Sequence, residues 1–393
     1  ISRNMWFFKS PEFYFGEGAL RYLNQLRGER AFIVTDENIQ GLGFVEPIQK
    51  QLAENGISSQ VFAAVEPDPS LNTVHHGAKI VQAYEPDWII SLGGGSCIDA
   101  AKGMWVLYEC PDLELEFINP VADIGLGQKA RLIAIPTTAG SGSESGYGMV
   151  LTDTEEKRKL TLANREIMAS VVIVDPSLTA KLPRQITADS GIDVLSHAIE
   201  GYSCTFANDF NDGLCLQAAK LVFQYLPRAV THGNNDEEAR EKMANAASIA
   251  GLSLGNSTVA LGHTLGHSAG AYFRTLPHGR ITAIFMPYTI EFTSLSGNSR
   301  YQGMAQTLGL QASDERKAAF ALASAMRDLM RRIDLPLSLR DAGISPDEFE
   351  AALLSIVEHA DIDPNIIQSR RIPDTEEIEM LLRYAYEGKS VDF

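Results

Sequence analysis

The 393-residue sequence predicts a two-domain chain. Residues 1–182 form an α/β domain on a parallel sheet, and residues 183–393 form an all-helical domain. Three observations predict this. The first part alternates short β-branched runs with helical stretches, the pattern of βαβ units. Beyond Leu182-Pro183 strand-like alternation nearly vanishes and helical spacing takes over. The length suits two domains better than one.

In chain order, residues 31–35 (AFIVT) read as a buried strand and residues 45–55 as a helix stopped by Gly56. Residues 59–63 (SQVFA) read as a second strand and 71–83 as a helix. Residues 87–92 (DWIISL) form a third strand that runs straight into GGGS, with a helix over 98–109. Residues 131–135 (RLIAI) are a strand ending in the polar loop PTTAGSGSES, and VVIV at 171–174 is the last strand, closed by Asp175-Pro176. Helical spacing then covers 189–202, 212–225, 237–254, 315–333, 345–356 and 375–386. The sequence has no fixed-period repeat and no low-complexity segment.

Composition narrows the function classes. The chain is 45% hydrophobic and 21% charged, with a formal net charge of −17. An acidic surface repels phosphate backbones, so neither nucleic acid nor an anionic membrane is an expected partner. Cys97, Cys110, Cys204 and Cys215 form no CxxC pair and no dense framework, which predicts reduced thiols in a cytoplasmic protein. The start ISRNMWFFKSPEF lacks the pattern of a secretory signal, and no run reaches the roughly 18 apolar residues of a membrane span. Met5 is a candidate natural start, with four foreign residues before it.

Two loops are candidates for nucleotide binding. In SLGGGSCIDAAKG, Gly93, Gly94 and Gly95 let the backbone turn sharply and approach a ligand, and the following helix aims its N-terminal amides at the loop. Ser96 would cap that helix or donate to a phosphate oxygen. The same glycines would also serve a tight turn without a ligand, and the motif is neither GxGxxG nor a Walker loop. Thr137, Thr138 and Ser141 in PTTAGSGSES lie beyond a strand's carboxyl end, where open α/β sheets bind ligands; a solvated turn is an equal reading. Asp36 ends AFIVT. It would accept the hydroxyls of an adenosine ribose and repel a 2′-phosphate, favouring NAD over NADP, or it would simply cap the next helix.

The second half carries a candidate metal site. Asp193 and His197 are four apart in GIDVLSHAIEGY, His263 and His267 are four apart in LGHTLGHSAG, and His278 follows in LPHGR. Residues four apart project from one helix face, and buried imidazoles need partners. Carboxylate and imidazole donors suit Fe²⁺ or Zn²⁺, with donor type alone not choosing between them. His75, His76, His232 and His359 lack such context and are read as structural or exposed.

On GGGSCIDAAK, PTTAGSGSE, GIDVLSHAIEGY and GHTLGHSAGAYFRTLPHG, the chain resembles the iron-containing, or group III, alcohol dehydrogenases along essentially its whole length. The resemblance implies a dinucleotide-binding first domain and a metal-binding catalytic second domain, an architecture like that of dehydroquinate synthase. It implies Asp193, His197, His263 and His278 as metal ligands, and His267 near the nicotinamide as proton relay or substrate-positioning residue. Gly93, Gly94, Gly95, Ser96, Asp99, Thr137, Thr138 and Ser141 would contact the cofactor, and Gly146, Gly148, Lys159 and Leu178 would line the same cleft. Cys97 departs from the family at a position that is often proline. The implied reaction passes a hydride between NAD(H) and a small primary alcohol, aldehyde or diol whose oxygen is activated by the metal, in a homodimer or larger homo-oligomer. MWFF and DAAKGMWVLYE resemble the alcohol-dehydrogenase branch, and the start WFFKSPEFYF is a candidate for strand pairing between copies.

Two alternatives stand beside it. Relatives of this plan act on glycerol, on glycerol phosphate, or as a cyclising synthase; Arg274 and Arg280 are the only basic residues near His263–His278 in sequence, which favours a neutral alcohol. The second alternative is a non-enzymatic nucleotide-binding module with a closed structural metal site.

Overall fold

A parallel sheet needs apolar strands covered on both faces, and the first part of the chain supplies them. A computed structural model of the protein describes residues 7–156 and 158–393; Met5 and the residues before it lie outside this range. The chain divides into two compact units, one ending at Lys181 and one beginning at Leu182.

The first unit contains β1 (Glu12–Phe15), β2 (Arg30–Val34), β3 (Ser58–Phe62), β4 (Trp88–Gly93), β5 (Arg131–Pro136), β6 (Gly148–Asp153), β7 (Arg158–Ala163) and β8 (Val171–Val174). Its main sheet is parallel, in the order β1-β8-β5-β4-β2-β3. The helices between them are α1 (Glu37–Gly41), α2 (Val45–Glu54), α3 (Leu71–Tyr84) and α4 (Gly95–Glu109). The chain leaves β2 toward β3, then crosses back to β4 and continues to β5, so the strand order reverses between β2 and β4. Such a switch point opens a crevice at the carboxyl ends of the strands. The strands are uniformly buried at β4 and β8, and α2 turns Val45, Ile48 and Leu52 into the core with Ile33, Ile90 and Ile133.

Three features differ from the sequence expectation. Strand β1 is a further edge strand, paired Phe13 to Val172. Strands β6 and β7 form a separate antiparallel hairpin, Met149 opposite Leu162; β7 is half exposed and carries Arg158 and Lys159, so it lacks the apolar run that marks β2, β4, β5 and β8. Helix α4 also begins at Gly95 instead of residue 98, because the third glycine is already in its first turn.

The second unit is helical throughout its described elements: α5 (Arg184–Ser203), α6 (Asp209–His232), α7 (Glu237–Gly255), α8 (Leu261–Gly270), α9 (His278–Ser294), α10 (Tyr301–Thr307), α11 (Glu315–Arg332), α12 (Pro346–Asp361) and α13 (Thr375–Glu387). Helix α5 is buried almost end to end and packs on α6, α7, α8 and α9. The buried Arg240 ties α7 back to the start of the unit, donating to Leu182 O, Thr187 Oγ1 and Gly233 O at 2.9, 2.7 and 3.1 Å. No described helix is long and apolar enough to cross a membrane.

Candidate metal and nucleotide sites

In the second unit, α5 carries Asp193, His197 and Glu200 at i, i+4 and i+7, on one face. Helix α8 carries His263 and His267, and His278 is the first residue of α9. Close packing brings these helices together. A Cβ on Gly266 of α8 would lie 2.5 Å from Thr282 Oγ1 and 3.0 Å from Thr282 Cα on α9. A Cβ on Gly279 would meet the Asp189 carbonyl and sit 2.9 Å from Asp193 Cβ.

Three of the predicted imidazole donors converge on the Asp193 carboxylate. His263 Nε2 and His278 Nε2 lie 3.7 and 3.8 Å from Asp193 Oδ1, and His197 Nε2 lies 3.8 Å from Oδ2. Donor atoms of Asp193, His263 and His278 all fall within 4.8 Å of one another. The His197 and His263 rings stack at 4.7 Å. His267 joins from the side, its ring 5.1 Å from that of His278 and 5.8 Å from that of His263.

These residues fit a divalent cation. Donors of a tetrahedral ion with bonds of about 2.1 Å stand ~3.4 Å apart, close to the spacings around Asp193. Asp193 Oδ1 and His263 Nε2 are buried without any hydrogen-bond partner and face one another. Unpaired buried polar atoms are costly, and a shared cation would satisfy both. Burial works against the charge on Asp193, but the facing His197 and His278 hold its carboxyl well below the usual range. Burial pushes His197 down to about 4, which keeps it a neutral donor. The set is not closed: Asp193, His197 and His263 are buried, while the His278 side chain is 43% exposed.

Glu200 is a participant that spacing alone did not single out. Its carboxylate lies 2.6 Å from His263 Nδ1 and accepts from the backbone at Ala260, Gly262 and His263. It stands three residues after His197 in HAIE, so the i+7 position was the available signal. Arg280, the basic residue nearest the cluster in sequence, donates both arms to Asp189 at 2.8 and 2.9 Å.

In the first unit the two predicted loops lie side by side, because β4 and β5 are neighbours with Gly93 paired to Pro136. Thr137 N donates to Gly93 O at 3.0 Å. A Cβ on Gly95 would lie 2.8 Å from Ser141 Oγ, and one on Gly94 would lie 3.5 Å from Thr138. Gly94 caps α4 with no side-chain acceptor on the first-turn amides, an arrangement suited to an anion. Asp36, at the end of β2, reaches the same place: Cys97 Sγ lies 3.3 Å from its Oδ2, and its Oδ1 caps α1 at Ile39 N, 2.9 Å away. Both roles foreseen for Asp36, cap and carboxylate at the strand end, are geometrically compatible.

The remaining predicted residues sit around this crevice in different ways. Ser96 accepts from Asp68 N at 3.3 Å, and Lys159 donates to Asp68 Oδ1 at 2.8 Å, so Asp68 links them. Asp99 is engaged internally, accepting from the Ser143 hydroxyl and, at 2.9 Å, from Val150 N. The carbonyls of Gly146 and Gly148 accept from the buried Lys102 at 2.8 and 2.7 Å. Burial drives the Lys102 ammonium down to about 8 and the Asp99 carboxyl up. Asp99 and Lys102 thus brace the polar loop from behind. Leu178 is buried in the hydrophobic core with Leu92 and Ile135.

A family model described as iron-containing alcohol dehydrogenase matches residues 10–176, and one described as the C-terminal part of the Fe-containing alcohol dehydrogenase family matches residues 187–386. An aldehyde-alcohol dehydrogenase of Streptococcus pneumoniae is 38% identical over 98% of this chain and 46% of its own length. The chain therefore spans about half of that relative. A protein named NADPH-dependent butanol dehydrogenase, of Clostridium saccharobutylicum, is 35% identical over 97% of this chain and 98% of its own. The iron-containing alcohol dehydrogenase of Thermococcus thioreducens superposes with a TM-score of 0.88 at 30% identity, covering 98% of this chain and all of that one.

Proposed function

This chain belongs to the iron-containing alcohol dehydrogenase family, and we propose that it interconverts a small primary alcohol or diol with its aldehyde, using NAD(H) and a divalent metal, Fe²⁺ ahead of Zn²⁺. One observation carries the reading: four donors gathered at Asp193, buried on three members and open at His278. A closed set would suit a structural ion, whereas an accessible side leaves room for a substrate oxygen. Asp193, His197, His263 and His278 would hold the ion. When both are bound, such an ion supplies Lewis-acid polarisation of the substrate oxygen and NAD supplies the hydride acceptor.

The chain's own residues do the rest. His267 is half-buried beside His278, and one of its ring nitrogens would take the proton released by the alcohol and pass it outward. The uncapped amides at Gly95 and Ser96 would bind the pyrophosphate, with Gly93 and Gly94 allowing close approach. Thr137, Thr138 and Ser141 would donate hydroxyls, Gly146, Gly148 and Lys159 would line the crevice, Asp99 would hold the loop in place, and Leu178, expected to line the crevice, instead packs in the core beneath it. Asp36 would accept the ribose hydroxyls and disfavour NADPH. That preference separates this chain from the butanol dehydrogenase relative, which is named for NADPH.

Residues 1–182 would then be the cofactor domain and 183–393 the metal and catalytic domain. A neutral substrate is supported by Arg280, whose charge is already matched by Asp189; this weighs against a phosphorylated polyol. The free cysteines accord with a cytoplasmic site of action. Exposed Phe15 on the edge strand β1 offers a surface for a homo-oligomer such as a homodimer.

The test is metal content of the purified chain, with NADH and NADPH oxidation measured on a panel of short aldehydes before and after chelation. Bound Fe²⁺ or Zn²⁺ and NADH turnover abolished by chelation are expected. Full turnover after exhaustive chelation would overturn the proposal.

A further inference from the structure

We propose that Glu200 is the positioning residue that fixes His263 in the tautomer protonated at Nδ1, leaving the Nε2 lone pair to face the metal. The proposal rests on the metal reading above. Glu200 is 4% exposed, and both of its oxygens are already surrounded by donors. Oε1 accepts from Gly262 N at 2.6 Å and His263 N at 3.3 Å; Oε2 accepts from Ala260 N at 2.9 Å. The fourth contact is His263 Nδ1, 2.6 Å from Oε2. An ionised carboxylate has only acceptors to offer, so the proton of this contact belongs to Nδ1.

With Nδ1 so engaged, Nε2 is the nitrogen left to offer a lone pair to a metal, and it is the one buried without a partner, 3.7 Å from Asp193 Oδ1. Two acceptors facing each other in a buried site repel unless a proton or a metal cation lies between them, and a metal takes the place of that proton. Glu200 thereby decides which nitrogen is the donor atom, as partners behind metal-bound histidines commonly do. The fit is built into the backbone: a Cβ at Gly262 would lie 2.8 Å from Glu200 Oε1, so a side chain there would displace the carboxylate. The same contacts hold the first turn of α8 to α5, so one side chain both aims His263 and anchors the helix that carries it.

Glu200→Gln keeps the shape and removes the charge. Its amide must turn NH₂ either toward Gly262 N and His263 N or toward Ala260 N and Nδ1. The second choice moves the imidazole proton to Nε2 and takes the lone pair away from the metal. The experiment uses the full chain loaded with Zn²⁺. Chelator competition gives the dissociation constant, and ¹⁵N-histidine NMR reports which nitrogen of His263 carries the proton. In the unaltered chain, one tightly held Zn²⁺ and a protonated Nδ1 are expected. In Glu200→Gln a Kd higher by about 10–100-fold is expected, with the metal-free melting temperature giving the purely structural share. Tight zinc with Nδ1 unprotonated in the unaltered chain overturns the proposal without needing any variant to fold. So does a folded Glu200→Gln that binds zinc as tightly as the parent. No zinc bound by the unaltered chain would overturn the metal reading and this proposal together.

Discussion

Burial pulls both His197 and His263 toward the neutral form, yet the two end up apart. His197 falls to about 4, while Glu200 and Asp193 outweigh burial at His263 and raise it to about 9. For the metal-free chain the consequences have opposite signs. The folded His263 holds its proton above the ordinary 6.5, so its contribution is complete below pH 6.5 and is lost as pH rises toward 9. The unfolded His197 takes up a proton that the folded ring refuses, so stability also falls as pH drops from 6.5 toward 4. In denaturant melts of the chelated protein, His263→Gln should therefore remove a loss of stability between pH 6.5 and 9 that the parent shows; an unchanged pH dependence over that range would refute the assignment. With metal present, Asp193→Asn or His263→Gln should empty the site, whereas His267→Ala should keep full metal content and lower kcat by roughly 10²-fold or more. Metal analysis beside kcat separates the two classes, and equal metal loss would remove the distinction. Asp36→Ala should lose about 10–100-fold in preference for NADH over NADPH, the worth of a charge-assisted hydrogen-bond pair, read as the ratio of kcat/KM values.

At the scale of elements, the site depends on how closely α5, α8 and α9 approach. Gly279 is the contact point of α9 with α5: a methyl there meets the Asp189 carbonyl and Asp193 Cβ, and backbone cannot move aside as a flexible side chain would. Gly279→Ala should cost about 1–3 kcal/mol by overpacking and draw His278 away from Asp193. A large drop in metal affinity with a modest drop in melting temperature is expected, and unaffected affinity would contradict it. Helices α5 and α8 were legible in the sequence because i,i+4 spacing projects donors from one face, whereas α9, which starts at His278, was not read as a helix; β2, β4, β5 and β8 were legible as unbroken apolar runs. The hairpin β6–β7 was not, since the half-exposed β7 shows no such run. Nor was the start of α4, where glycines serve as strand end, cap and first turn together. Glu200 stayed hidden for a different reason: three of its four partners are backbone amides some sixty residues away, and backbone donors leave no residue type to read.

Over the whole molecule, the two kinds of chemistry are divided between units. Every residue proposed to hold the metal lies beyond Leu182, and every residue proposed to meet NAD lies before Lys181. On that proposal neither unit would hold both parts of a hydride transfer. Each ligand should therefore leave its own footprint when amide hydrogen exchange is followed along the intact chain. A bound ligand suppresses local opening in the segments it contacts, by about 2.7 kcal/mol at a hundredfold excess over Kd. Zn²⁺ should slow exchange at the facing parts of α5 and α8 and at the start of α9. NADH should slow it at the β4–α4 turn, in the loop from Thr137 to Gly148 and around Asp36. NADH added to chelated protein should still protect the first set of loops, because none of the residues proposed to bind it is a metal ligand. Protection by NADH that appears only in the helical unit would show that the glycine-rich loop is a turn and not a nucleotide site. The division of labour between the two halves would then have to be abandoned, even with the metal cluster intact.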